Sequence, residues 1–341
     1  MQSQQIPGTD LSPSVLALGT VPIGSKLGQA ESFALLDAYV AGGGTFIDTA
    51  RSYSDWLPGE RSSSEKTIGR WLAARRSHGG GGLRDRLVLA TKGGHPPLED
   101  MHSGRLSQSE IRSDLEGSLR DLGAGHIDLY WLHRDDLAHP VEDVIDTLSG
   151  LVQAGQIRYY GASNWSPARI EAANRYAQSA GKPGFVANQM MWSLADANPG
   201  SVTDDTLEEM GAATLELHRR TGLAALPYTS QALGFFGGKY ARGAELPSTP
   251  AAVRVQRTFF NDANFGRLDR VNAVAARLGW TPTQVALAYL RAQPFPVFPI
   301  IGPRTPEQLA DSLPAGELML DAETAAWLET GVLDHATGDA G

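Results

Sequence analysis

The sequence predicts an α/β chain folded as a single (β/α)₈ barrel over residues 1–341, and three observations predict it. Short β-branched runs alternate with longer amphipathic segments, the pattern of successive βα units. The units are fairly evenly spaced, apart from the seventh. No linker divides the chain into two. A doubly wound open sheet fits the same alternation, but even spacing without a linker favours the barrel. The barrel core is expected over about residues 14–313, with an extra C-terminal helix over about 321–332.

Taken in order, the first strand is Ser14–Gly19 (SVLALG). The helical pattern Ala30–Ala41 follows, with Phe33, Leu36 and Val40 on one face. Thr45–Asp48 (TFID) is the second strand and Leu87–Thr91 (LVLAT) the third. Between them Ser77–Gly82 (SHGGGG) reads as a flexible connection. Gln108–Leu122 places Ile111, Leu115, Leu119 and Leu122 at helical spacing, and Ser107 with Glu110 makes a capping box. Ile127–Leu132 (IDLYWL) is the fourth strand, before the helix Val141–Ala154. Ile157–Ala162 (IRYYGA) is the fifth, before a helix that opens at Ser166-Pro167 and runs to Ala180. Val186–Gln189 is the sixth, with a helix over Thr206–Thr221. Leu223–Tyr228 is the seventh, followed by a long Gly- and aromatic-bearing loop, Gly234–Phe265, and a helix over Asp269–Leu278. Val297–Ile301 is the eighth, before the cap-then-Pro helix Thr305–Leu313. Asp321–Leu328 is a final amphipathic helix.

Composition removes several classes of chemistry. The chain has no cysteine, hence no disulfide, zinc ribbon, iron–sulfur cluster or thiol nucleophile. Its formal charge of −9 argues against a broad nucleic-acid surface. Met1–Asp10 has no cationic, apolar leader, and no apolar run is long enough to span a bilayer, so a cytoplasmic protein is expected. Gly19-x₄-Gly24-Ser25-Lys26 has the wrong Ser–Lys order for a phosphate loop. No G-x-G-x-x-G follows a strand.

In a (β/α)₈ barrel, residues at strand C-termini meet at one mouth, where active sites lie. Asp48 and Tyr53 follow the second strand here, Lys92 the third and His133 the fourth. Ser163, Asn164, Gln189 and Tyr228 follow the next three, and Gly302 with Arg304 the eighth. A tyrosine is a weak acid, and a nearby ammonium is expected to lower its pKa while a carboxylate holds the ammonium. A histidine there can orient a carbonyl oxygen. The set suits protonation of a carbonyl oxygen during reduction. An alternative reading takes His133, His139, Asp135 and Asp136 as metal ligands of a barrel hydrolase, against a polar strand-to-helix loop.

The stretch Gly43–Tyr53 (GGTFIDTARSY), with Ser64-Glu65 and Ile68-Gly69, resembles the signature of the aldo-keto reductase family. So do Leu87–Lys92 (LVLATK), Ser118–His133, Ile157–Asn164 (IRYYGASN), Asn188-Gln189, Tyr228–Tyr240 and Ile300–Leu309. The motifs keep the family's order over about residues 15–330. The resemblance implies an NADP(H)-dependent oxidoreductase acting on a small aldehyde, ketone or alcohol without a metal. It implies Tyr53 as acid/base, tuned by Lys92 and Asp48, with His133 positioning the carbonyl. Ser163, Asn164 and Gln189 would hold the nicotinamide carboxamide, Tyr228 would stack on its ring, and Gly19 and Thr20 would lie beside its ribose. Thr229, Gln231, Gly234 and Gly302 fall in cofactor-binding segments. Arg304 and Gln308 would meet a ribose 2′-phosphate, with Asp311 and Ser312 near the adenine. Ser312 stands where the family commonly has Asn, Ser54 where it usually has Gly, and Thr229-Ser230-Gln231 where it often reads Ser-Pro-Leu, a change expected to loosen that turn. Some relatives are cofactor-sensing subunits of membrane channels, a second implied role. Trp56, Trp192 and Phe235 are expected to wall the substrate pocket, although Phe235 and Phe236 could equally only pack their loop, and Trp131 is expected in the core.

Overall fold

The computed structural model describes residues 1–77, 82–245 and 247–332, and in it the β-branched runs form one parallel sheet. The strands are β1 (Ala17–Gly19), β2 (Phe46–Asp48), β3 (Val88–Gly93), β4 (Ile127–Leu132), β5 (Ile157–Ser163), β6 (Ala187–Gln189), β7 (Ala224–Ala225) and β8 (Ile300–Ile301). Neighbours pair in chain order, and β1 also pairs with β8. A parallel bridge between Ala225 and Val297 closes the ring, with the Phe298 amide donating to the Ala225 carbonyl at 2.9 Å. The expected (β/α)₈ barrel is the observed fold. The last two strands are shorter than their apolar runs because Pro227, Pro296 and Pro299 have no N–H for the ladder.

The helices are α1 (Gln29–Ala41), α2 (Ser63–Ser77), α3 (Leu83–Arg86), α4 (Gln108–Leu122), α5 (Val141–Gln153), α6 (Pro167–Ser179), α7 (Ala212–Thr221), α8 (Pro250–Phe259), α9 (Asp262–Leu278), α10 (Pro282–Arg291), α11 (Pro306–Ser312) and α12 (Ala322–Thr330). Among the described residues none is long and apolar enough to cross a membrane. The Ser107–Glu110 capping box is formed, and Ser166 and Thr305 cap their helices as expected. Thr281 with Gln284 makes a further box ahead of α10.

Several elements differ from the sequence pattern. α2, α3, α8 and α10 are helices that the pattern did not bring out. α2 buries Ile68, Trp71 and Leu72 behind a polar start, and a Cβ at Gly69 would strike the Asp121 carbonyl, so a glycine there lets α2 approach α4. α1 buries Leu35, Leu36 and Tyr39, with Phe33 and Val40 partly buried against the same core. α7 begins only at Ala212, because Glu209 bridges to Met191 beside the barrel. The seventh connection is not a plain loop, since it carries α8 and the first turn of α9. Most of the SHGGGG patch, residues 78–81, lies outside the described residues.

Side chains alternate inward and outward along each strand. The inward set includes Phe46, Ala90, Trp131, Ala187, Leu226 and Phe298, all buried in one cluster that Ile6 and Leu11 join from an N-terminal hairpin. Gly161 belongs to this arrangement, because a Cβ there would collide with the Trp131 ring. Trp131 is thus core, as expected. Two residues beyond these inward positions come Asp48 after Phe46, Lys92 after Ala90, His133 after Trp131, Gln189 after Ala187 and Tyr228 after Leu226. The alternation that fills the barrel therefore delivers its polar residues to the mouth.

Candidate active site at the barrel mouth

Lys92 is the hub of the site. It is buried, and its ammonium donates to Asp48 Oδ2 at 2.5 Å, to the Thr49 carbonyl at 2.9 Å and to Tyr53 Oη at 3.0 Å. All three of its protons are used. Tyr53 Oη accepts from Lys92, and the phenol also lies within hydrogen-bonding reach of the Asp48 carboxylate. The Asp48 Oδ1 atom accepts from Gln189 Nε2 at 3.1 Å, which links the Asp–Lys–Tyr group to β6. The His133 ring stands edge-on to Tyr53 with centroids 5.9 Å apart, and its amide donates to Gly93 at 2.8 Å, so it continues the β4 ladder by one residue.

Electrostatics corrects one expectation. Burial, and then the Asp48 charge, push the Tyr53 hydroxyl well above its usual value of 10.0, and the Arg134 cation opposes only in part. The lowering expected from a neighbouring ammonium is not the net result. Burial also lowers Lys92, with Asp48 acting against it. Burial holds His133 well below 6.5, reinforced by His95, Arg134 and Lys92, so its imidazole is neutral at pH 7. The mouth thus carries a protonated phenol beside a neutral imidazole, both potential donors to a carbonyl oxygen.

The residues expected at the cofactor lie on the adjoining rim. Ser163, Asn164 and Gln189 are all buried. Asn164 adopts a left-handed φ of 59° and is held on every side: it donates to the His133 carbonyl and to Ser163 Oγ, and accepts from Tyr228 Oη at 2.6 Å and the Glu208 amide. Thr20 is buried, with its hydroxyl on the Asp48 carbonyl and Ser64 Oγ, so it braces β2 from β1. Gly19 packs against Ile300, where a Cβ would come within 2.7 Å of its side chain. Thr229 has a left-handed φ of 56°, and Gly234 one of 88°. In this turn Ser230, at the position where the family often has proline, donates its hydroxyl to the Ile300 carbonyl at 2.6 Å. Gln231 donates to Ser312 Oγ and accepts from the Gly302 amide at 3.4 Å. Arg304 is exposed, and its amide is held by Gln308 Oε1 at 2.8 Å. The Asp311 carbonyl accepts from Gln284, and the buried Ser312 hydroxyl returns to the Gln308 carbonyl.

The three expected pocket walls separate. Trp56 is 48% exposed on the loop after β2. Trp192 stacks on Phe295 at 6.2 Å and packs on the cluster beneath α9 and α10. Phe235 is fully buried among Phe236, Phe259 and Phe265, so the structure takes the loop-packing alternative for it. Ser54 also has a left-handed φ, 71°, the region that favours the glycine usual in the family. Its hydroxyl bonds Val21 O and Ser25 Oγ, which holds the residue in place beside Tyr53.

The residues read as alternative metal ligands have other partners. Arg169 grips Asp135 at 3.0 Å, and Asp136 accepts from the Ala138 amide. No group of three or more His, Asp or Glu among the described residues could hold a metal ion. Two mouth residues escaped the sequence reading. Arg134 is buried and joins the His133 carbonyl to Thr206 and Asp204. His95 stands edge-on to His133 with centroids 4.7 Å apart. Their positions beside His133 and just after Lys92 were the available signals.

Comparison with known proteins agrees with this architecture. The model described as the Aldo/keto reductase family matches residues 15–330. The uncharacterized oxidoreductase YrpG of Bacillus subtilis is 32% identical, over 92% of this chain and 91% of its own. The aldo-keto reductase ausK of Aspergillus calidoustus is 34% identical over 95% of this chain and 80% of its own. The NADP(+) aryl-alcohol dehydrogenase of Phanerodontia chrysosporium is 30% identical over 95% and 84%. The chain therefore belongs to the aldo/keto reductase family of oxidoreductases.

Proposed function

We propose that the protein reduces the carbonyl of an aldehyde or ketone, or oxidises the corresponding alcohol, with NADP(H) as cofactor. The observation that carries this reading is the Lys92 ammonium lying 3.0 Å from Tyr53 Oη and 2.5 Å from Asp48 at the mouth. Tyr53 gives its proton to the carbonyl oxygen as the carbon is reduced. Lys92 stabilises the phenolate left behind, and Asp48 keeps Lys92 charged in a buried place. Neutral His133 donates a hydrogen bond to the same oxygen and orients it. NADPH, when bound, supplies the hydride from nicotinamide C4.

The residues present fit that cofactor. The Ser163 hydroxyl proton and Gln189 Oε1 would meet the amide headgroup, while Asn164, its own hydrogen bonds satisfied, would hold Ser163 and Tyr228 in place around it. Tyr228 would stack on the nicotinamide ring, Gly19 and Thr20 flank the ribose, and Thr229, Gln231, Gly234 and Gly302 line the path beyond it. Arg304 and Gln308 would hold a 2′-phosphate, which favours NADP over NAD, with Asp311 beside the adenine. Ser312 serves that wall by tying Gln231 to α11. Trp56 remains a wall for an apolar substrate, in keeping with the aryl-alcohol dehydrogenase among the relatives.

The test follows NADPH and NADH oxidation at 340 nm with a panel of aldehydes and ketones, for the wild type and Tyr53→Phe. We expect NADPH to be preferred, and the variant to bind it while losing about 10²–10⁴-fold in kcat, the range for a general acid. Near-wild-type kcat in Tyr53→Phe would remove Tyr53 from the chemistry. Tight NADPH binding without turnover of any substrate would favour a sensing role.

A further inference from the structure

Three rings stand in a row at the mouth: Tyr53, His133 and His95. The first two are used by the reaction above, and the third is not. His95 nevertheless has the marks of a placed residue. It follows Gly93-Gly94 at the end of β3. A Cβ on Gly93 would collide with Tyr130 Oη, and Gly94 turns with a φ of 71°. The Gly94 amide donates to Asp114 Oδ2 at 2.9 Å, and Arg105 Nη1 donates to the His95 carbonyl at 3.1 Å while pairing with Asp114 at 3.2 Å. Asp114 on α4 and Arg105 ahead of it thus hold the backbone of His95 from outside the barrel.

The tautomer follows from one contact. His95 Nδ1 lies 2.6 Å from the Pro96 carbonyl, which only accepts, so Nδ1 carries the proton. Nε2 then presents a lone pair, and no described residue donates a hydrogen bond to it. Burial lowers the His95 pKa below 6.5, which keeps the ring in this neutral form at pH 7. His95 is half-buried, in the same row of rings as His133 and Tyr53. An acceptor therefore stands beside the ring that receives the carbonyl oxygen.

We propose that His95 is a substrate-positioning residue, whose Nε2 accepts a hydrogen bond from a hydroxyl on the carbon next to the reacting carbonyl. The two oxygens of such a substrate sit on neighbouring carbons, close enough for one to meet each ring. The preferred substrates are then α-hydroxy carbonyl compounds. This inference rests on the carbonyl-reductase reading.

The experiment measures kcat/KM with NADPH for a matched series: acetophenone, α-methoxyacetophenone and α-hydroxyacetophenone. The methoxy compound keeps size and oxygen but has no proton to give. For the wild type we expect the hydroxy compound to exceed the methoxy one by about tenfold, the effect of one well-made hydrogen bond. In His95→Leu the ratio should fall to about one. In His95→Gln, whose side-chain carbonyl also accepts, the ratio should stay above about three. A wild-type ratio near one, or a ratio unchanged in His95→Leu, overturns the proposal. If the leucine variant fails to fold, a wild-type ratio near one or a glutamine ratio near one does the same. No NADPH-dependent turnover of any of the three ketones or of the aldehyde panel by the wild type would instead overturn the carbonyl-reductase reading itself.

Discussion

The two sides of the barrel mouth are built by different means. From β2 to β4 three of the four functional side chains stand on the ladder or one step beyond it: Asp48 ends β2, Lys92 lies within β3, and His133 still donates its amide to Gly93, while Tyr53 lies on the turn after β2 and is held by Lys92. β3 and β4 each run for 6 residues, whereas β7 and β8 run for 2 each. On that second side the wall is made of loops. Thr229, Ala232 and Leu233 all have positive φ, a conformation that costs a non-glycine residue about 1–2 kcal/mol. Side chains tie these loops together, Gln231 to Ser312 and Ser230 to the Ile300 carbonyl. The aromatic cluster of Phe235, Phe236, Phe259 and Phe265 supports them from behind. Backbone register sets the spacing of Asp48, Lys92 and His133, and Lys92 in turn ties the Tyr53 turn to them. Where a long ligand would be enclosed, packed loops suffice.

That contrast can be tested from both sides. Lys92→Met should have the largest effect, since it leaves the Asp48 carboxylate buried without its cation. Removing one partner of such a pair costs about 3–5 kcal/mol. Stability in a denaturant titration and turnover should fall together, because the same ammonium serves the ion pair and Tyr53. If stability fell and kcat held, the ladder side would be scaffold alone.

Phe235→Ala should come next and behave differently. It opens a cavity beneath the seventh-strand loop and should cost about 3–5 kcal/mol in the same titration. Its kinetic effect should appear as a raised KM for NADPH, with kcat at saturation nearly unchanged. A fall in kcat at saturating cofactor would mean that the loop side reaches the chemistry.

Ser54→Gly should change least. Glycine relieves the left-handed strain, but the hydroxyl bonds to Val21 and Ser25 are lost and the unfolded chain gains freedom. These effects are each about 1 kcal/mol and oppose one another, so thermal unfolding should shift by no more than about 1 kcal/mol either way. A loss well above that would show that the serine bonds, rather than the β2 ladder, hold the segment carrying Tyr53.

Much of this was legible in the amino-acid sequence. The strand runs, the Ser107, Ser166 and Thr305 caps and the polar residues at strand ends are local patterns, because inward–outward alternation and first-turn hydrogen bonds depend on near neighbours. That is why Asp48, Tyr53, Lys92 and His133 group together in the sequence alone. The helix α8 was hidden in a loop-like stretch, since its amphipathic face has meaning only against Phe235 and Phe236. The buried Phe235 and half-buried Trp192 rings could not be told from pocket walls, because an aromatic side chain has the same apolar character in either place.

By itself the sequence determined the βα alternation, the order of the strands and which polar residues stand at their ends. Only the tertiary structure decided which way Trp192 and Phe235 turn, that His95 stands beside His133, and that Tyr53 is held above its usual pKa rather than below it. The physical reason is common to all of these. Burial, ring contacts and the field of a buried charge depend on atoms brought together across the barrel from distant parts of the chain, and sequence spacing does not encode them.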